Sequence, residues 1–314
     1  MRRARLILAS FLGLALLGGL FWRIPPGEVW NTLRKTHPWP LLGLVLLDLL
    51  VLVAKSERWR ALVSPLHLLK PWETFQLTVA GFLGNILLPL RAGDLGRGLW
   101  LARRGLSKIS GVGTVAAEKF LDALGLLSLS LPAALLSPLL RKEKGLLLGL
   151  NLLLFGLILL FPCLEKHLST RFLSGLKGLS IFRIFWKAYL LSLFSWILQV
   201  GMILLASRAL GLSLSPEAAL AALVVLNLLL ILPTPPANLG ITQAAITATL
   251  VFYGLSPPQA LSVSLLYHAL QILVLLLLGP GCLAFNLLPV RRRNAGLRAE
   301  GPPLEEGGSS GAGG

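Results

Sequence analysis

Two long apolar stretches of this chain break in their middles on the same succession of residue types. They are GFLGNILLPLRAGDLGR at 81–97 and LNLLLILPTPPANLGITQ at 226–243. Each runs hydrophobic into a proline, passes through a turn of small residues, and resumes with a carboxylate or an amide. A chain crossing a bilayer can interrupt its helical ladder only where protein or a water-filled cavity satisfies the freed N–H and C=O groups. Two such interruptions therefore predict an internal polar site, and their matching places in the two halves predict a transporter-like repeat.

The rest of the chain agrees with a membrane setting. Of 314 residues, 55% are hydrophobic and 13% charged, far from the balance of a soluble domain. The expected fold is all-α, a polytopic helical bundle of about six full spans plus two broken or re-entrant hairpins. The strongest spans are 6–22, 39–54, 146–161, 189–206 and 261–288, with less regular apolar stretches at 75–90, 114–136 and 218–250. Residues 1–290 form one transmembrane domain in this reading. The Gly-, Ser- and Pro-rich tail 291–314 reads as a disordered cytoplasmic extension.

The formal charge of +16 would raise nucleic-acid binding in a soluble protein. Here the cations fall in short segments between spans, where they set topology, so no nucleic-acid partner is expected. With both termini cytoplasmic, segments 55–73, 91–112, 163–187 and the tail lie inside and collect most Lys and Arg. Arg141, Lys142 and Lys144 fall on the other side, against the trend. The opening MRRAR and its apolar run lack a small-x-small cleavage site and read as an uncleaved first helix. Segment 165–187 spaces Arg171, Lys177, Arg183 and Lys187 among apolar residues, which fits a basic amphipathic helix or simply a positive loop. Cys163 and Cys282 are isolated and predict neither a disulfide nor a metal site.

In this topology a span, a broken hairpin and a span (39–54, 75–90, 114–136) recur as 189–206, 218–254 and 261–288 in the opposite orientation. That is an inverted repeat. A simple eight-helix arrangement satisfies hydropathy nearly as well.

The first break carries the chemistry. Pro89 removes a backbone donor and Gly93 permits a turn, so one helix can end and another begin with free N–H groups aimed at an anion. Arg91 and Arg97 add planar forks suited to phosphate oxygens. Asp94 can orient one of them, and Asn85 completes the polar set. The bland alternative is that Asp94 and Arg97 pair with each other at the membrane boundary. Glu118, Lys119 and Asp122 would each cost about 2.5–3.5 kcal/mol facing lipid at mid-bilayer. They must therefore turn inward or sit at an interfacial helix start. Glu118 and Asp122 share a helix face, where they can pair with Arg91 or Arg97 or line a cavity. Asp48 is a lone intramembrane acid with Lys55 seven residues on. His268, Tyr267, Gln271 and Gln199 fit interhelical hydrogen bonds. Trp22, Trp39, Trp59, Trp72 and Trp100 fit an aromatic belt.

The order Arg58-Trp59, GFLGNILLP, Arg91-Ala-Gly-Asp94-Leu-Gly-Arg97, a basic turn and then Glu118-Lys-Phe-Leu-Asp122, followed later by LPTPPANLGITQ and YGLSPPQALSVSLLYH, resembles the lysylphosphatidylglycerol synthase transmembrane-region family of flippase-like membrane proteins. The resemblance covers most of 5–290. It departs from the family at Asp94, where Glu is usual. It departs again at Pro236-Ala237-Asn238-Leu239-Gly240 and Gln243, where Pro-Gly-Gly-x-Gly and Glu are usual. A carboxylate role is lost there, while hydrogen bonding through Asn238 and Gln243 at the Gly240 turn survives.

The resemblance implies a non-enzymatic lipid transporter of the cell membrane, with no cofactor and no catalytic residues. It would bind a phospholipid or polyprenyl-phosphate headgroup between its halves. Two other classes stay open. One is a membrane-embedded lipid-modifying enzyme using Glu118, Asp122 or His268, although no Ser-His-Asp, His-x-x-x-His or Asp-rich metal pattern appears and no fused soluble catalytic domain follows residue 290. The other is a subunit partnering an envelope-biosynthesis enzyme.

Overall fold

The computed structural model describes residues 13, 15–88, 92–136, 138–139, 141–167, 171–230 and 235–287. Every regular element among them is helical: α1 (15–23), α2 (Pro26–Leu33), α3 (Pro38–Val63), α4 (Pro71–Leu87), α5 (Ala92–Trp100), α6 (Lys108–Leu136), α7 (Lys144–His167), α8 (Arg171–Leu176), α9 (Phe182–Ala209), α10 (Pro216–Leu229), α11 (Ile241–Phe252) and α12 (Pro257–Leu287), with single 3-10 turns between some of them. Proline opens α2, α3, α4, α10 and α12. Its fixed φ suits the first helical position and the missing N–H would have no intrahelical partner there.

Pro38–Val63, Phe182–Ala209 and Pro257–Ala284 are long and apolar enough to cross a membrane. The surface is inverted relative to a soluble protein. Leu42, Leu46, Leu50 and Val53 form an exposed stripe along α3, as do Leu190, Phe194 and Ile197 along α9, while Asp48, Arg58, Asp94, Arg97 and Glu118 are buried. Apolar groups face lipid and polar groups face one another, as a bilayer solvent demands.

At the centre α3 packs along α9. Leu205 lies against Gly43 and Leu47 against Gly201. The numbers rise along one helix as they fall along the other, so the pair is antiparallel. Around it the packing repeats by halves. Helix α3 touches α4 and α6, as α9 touches α10 and α12. Helix α4 lies on α12, as α10 lies on α6. Helix α5 bridges α4 and α6, as α11 bridges α10 and α12, and α2 sits on α12 as α8 sits on α6. Two equivalent sets of helices around an antiparallel central pair are what an inverted repeat produces.

The broken segments are the interior of each set. Helix α4 has 17 residues and ends at Leu88 in extended geometry (φ −111°, ψ 143°), and α5 has only nine. Helix α10 has 14 residues and α11 has 12, all four shorter than the roughly 20 residues of a full span. Both pairs fold back on themselves, α5 on α4 and α11 on α10.

Three expectations change. The segment 55–73 is not a loop from its start: α3 continues to Val63, so Lys55, Arg58 and Arg60 are helical and Arg58 is inside the protein. Segment 91–112 contains α5 and the start of α6. The basic stretch 165–187 is not one amphipathic helix but the end of α7, the short α8, a 3-10 turn at Lys177–Leu179 and the start of α9. A Cβ on Gly175 would stand 2.3 Å from the Ser110 carbonyl and one on Gly178 would stand 2.8 Å from that of Leu62. This connector is therefore wedged onto α6 and α3. Pro89, Arg91 and the tail 291–314 lie outside the described residues.

Candidate functional site

Glycine sets the position of α5. A Cβ on Gly93 would lie 2.0 Å from the Gly81 carbonyl and one on Gly84 would lie 2.9 Å from the Gly93 Cα, so α4 and α5 meet backbone to backbone. On its other side α5 meets α6 in the same way, through Gly98 and Gly111. The Asp94 N–H donates to Asn85 Oδ1 at 3.1 Å, giving the start of α5 a partner it cannot find in its own helix. This docking turns Asp94 and Arg97 toward α6.

There they enter a charge cluster. Arg97 reaches Glu118 at 2.5 Å and Asp94 at 3.5 Å, and Lys119 reaches Asp94 at 2.8 Å. Arg58 of α3 meets the other Glu118 oxygen at 2.7 Å, grips Asp122 through both terminal nitrogens, and donates to Ser192 of α9 at 2.8 Å. The Arg97 guanidinium lies 4.5 Å from the centre of the Trp59 ring, whose indole N–H donates to Thr114. Arg58, Arg97 and Glu118 have no exposed side-chain surface. Three cations face three carboxylates, and the cluster fastens α3, α5, α6 and α9 together. Buried ion pairs add little net stability because desolvation offsets their attraction, but removing one partner strands the other. The arrangement fixes geometry.

The second hairpin turns on neutral groups. Ala237 and Asn238 adopt left-handed φ of 53° and 54°, and Gly240 follows at 83°. The Gly240 N–H donates to Gln243 Oε1 at 2.8 Å, which leaves the Gln243 amide nitrogen facing His268 Nδ1 at 2.9 Å. That nitrogen of His268 is therefore the acceptor. The ring also hydrogen-bonds the Ala237 backbone. Thr242 Oγ1 donates to the Asn238 carbonyl. The turn at Pro236–Asn238 packs against α4, so the two broken segments meet inside the fold.

Asn85, Gly93, Asp94, Arg97, Glu118 and Asp122 are thus gathered in one place, and Asn238, Gly240 and Gln243 belong to the second turn, which packs against α4. Arg97 is spent on carboxylates here. Sequence reasoning missed Arg58 as the centre of the cluster and Lys119 as the partner of Asp94. The available signal was the Glu118/Asp122 face, which needs more guanidinium than Arg97 alone supplies. His268 was noticed only as a generic hydrogen-bonding group. Asp48 is buried, its Oδ2 has no hydrogen-bond partner, and it makes no ion pair with Lys55. Among the described residues no three His, Cys, Asp or Glu side chains converge as a metal site would require.

Two helix-broken hairpins, related by a repeat and meeting beside a buried charge cluster, define a polytopic all-α membrane protein of the inverted-repeat type. The chain belongs to the lysylphosphatidylglycerol synthase transmembrane-region family, whose sequence profile matches residues 6–279. It is also 27% identical over 211 residues to the UPF0104 membrane protein MJ1078 of Methanocaldococcus jannaschii, a match that takes in 62% of this chain and 90% of that one.

Proposed function

We propose that this protein is a non-enzymatic, flippase-like lipid transporter of the cell membrane, with both termini in the cytoplasm, that holds a phospholipid or polyprenyl-phosphate headgroup between its two halves. The observation that carries this reading is the meeting of the two broken hairpins inside the fold, in a bundle whose interior buries ionisable side chains. Intramembrane charge and interrupted helices are expensive, and both are characteristic of substrate pathways. Rocking of one half against the other would carry the headgroup across while the acyl chains stay in lipid.

Purified protein reconstituted in vesicles with a headgroup-labelled phospholipid tests the proposal. Transfer of the label between leaflets with the lipid chemically unchanged supports it. A modified lipid would point instead to a membrane-embedded enzyme, and neither change would point to a subunit that serves an envelope-biosynthesis partner.

A further inference from the structure

The cation best placed to receive a phosphate is neither arginine of the cluster. Lys55 projects from α3 between α4 and α9, its Nζ 5.5 Å from the centre of the Phe82 ring on α4 and 5.5 Å from that of Trp196 on α9. Trp196 is the fifteenth of the 28 residues of α9, and Phe82 is the twelfth of the 17 residues of α4, close to its broken end. The ammonium therefore sits far from either end of the bundle, where a lone positive charge is most costly.

No carboxylate among the described residues forms an ion pair with it. Asp122, whose charge acts on Lys55 most strongly, is gripped by Arg58. Glu118 is shared by Arg58 and Arg97, and Asp94 is held by Lys119 and Arg97. Asp48 lies seven residues back, about 10.5 Å along the helix axis. Lys55, Arg58, Arg97 and Lys119 are four basic side chains against the cluster carboxylates Asp94, Glu118 and Asp122, so Lys55 has no carboxylate of its own there. The two aromatic faces flank the ammonium without neutralising it. The residue as a whole is only partly buried.

We infer that Lys55, walled by Phe82 and Trp196, is the seat of a phosphate anion that supplies the missing negative charge. The inference rests on the transport reading for its setting, since a lipid phosphate is the phosphate that reaches this depth, while free inorganic phosphate offers the same chemistry. A compact ammonium with three N–H donors suits such an anion, which needs charge and hydrogen bonds but no fixed fork. Trp196 is itself held by donation of its indole N–H to the Asp122 carbonyl at 3.2 Å.

The test is retention of phosphatidylglycerol, of diacylglycerol with the same chains, and of inorganic phosphate by purified protein, measured by native mass spectrometry and equilibrium binding. Lys55→Gln should weaken phosphatidylglycerol binding by about tenfold to a hundredfold, the worth of a charge-assisted hydrogen bond. Lys55→Arg should recover most of it, and diacylglycerol binding should not change. Loss of phosphatidylglycerol alone assigns the seat to lipid phosphate, and loss of inorganic phosphate binding assigns it to the free ion. Lys55→Gln that unfolds at the wild-type temperature and binds both probes as wild type does overturns the inference. Binding that depends on Lys55 without leaflet transfer would sink the transport reading alone, and transfer that ignores Lys55 would sink the seat alone.

Discussion

Arg58 and Glu118, sixty residues apart in sequence, meet at 2.7 Å with neither side chain exposed. Glu118 gives its other oxygen to Arg97, so one carboxylate neutralises two guanidiniums from two different helices. Glu118→Gln should therefore leave both underpaired in a dry interior and lower stability by about 3–5 kcal/mol. The cost should fall when Arg97→Met accompanies Glu118→Leu, because Arg58 then keeps Asp122 and Asp94 keeps Lys119, so no charge is left wholly unpaired. By contrast Glu57→Gln, which disturbs the partly exposed pair with Arg60, should cost under about 1 kcal/mol. Thermal unfolding of the detergent-purified variants checks the order. Equal losses for Glu118→Gln and Glu57→Gln would show that the cluster is not the clasp described.

Gly93 and Gly96 give a matched pair on one short helix. A Cβ at Gly93 would stand 2.0 Å from the Gly81 carbonyl, whereas one at Gly96 meets nothing within 4 Å. Gly93→Ala must push α5 off α4 and drag Asp94 and Arg97 with it, a cost of about 1–3 kcal/mol from overpacking. Gly96→Ala should be neutral or stabilising by up to about 1 kcal/mol through helix propensity. Protease susceptibility and unfolding temperature distinguish them. If Gly93→Ala is as stable as Gly96→Ala, the backbone contact does not hold the hairpin.

Much of this was readable from the chain because membranes restrict backbone so strongly. A proline and a glycine inside an apolar run leave donors and acceptors that lipid cannot satisfy, so the two hairpins and the inward turn of Glu118 and Asp122 follow from residue type. Arg58 was not readable. A cation at the end of an apolar run has the same one-dimensional signature whether it stops a span or continues the helix into a buried pair. Only the arrival of α6, sixty residues later, decides. Lys119 was hidden similarly. It looks like a snorkelling residue until Gly98 and Gly111 bring α5 close enough for Asp94 to reach it.

Gln243 holds the second turn by accepting from the Gly240 N–H and meeting His268. Gln243→Leu should strand a buried donor and an acceptor and cost about 1–3 kcal/mol. Gln243→Glu keeps the acceptor for Gly240 and should restore part of that loss if His268 supplies the proton its partner no longer carries. Unfolding temperatures of the two variants, alone and with His268→Gln, check this. Full stability of Gln243→Leu would mean that the left-handed turn at Ala237 and Asn238 stands without this support.

The antiparallel contact of Gly43 with Leu205 and of Leu47 with Gly201 has a consequence for topology. If α3 and α9 are inverted counterparts, the segments that follow them emerge on opposite faces of the membrane. Leu68 and Ser213 are exposed residues of those segments, and the native cysteines, Cys163 and Cys282, are few enough to remove. In such a background Leu68→Cys should react with an impermeant maleimide from one side of sealed vesicles and Ser213→Cys from the other. With the charge bias described above, Leu68→Cys is the one labelled from the cytoplasmic side. Labelling of both from a single side would mean that the two helix sets run in the same direction, and the transport cycle built on their inversion would have no structural basis.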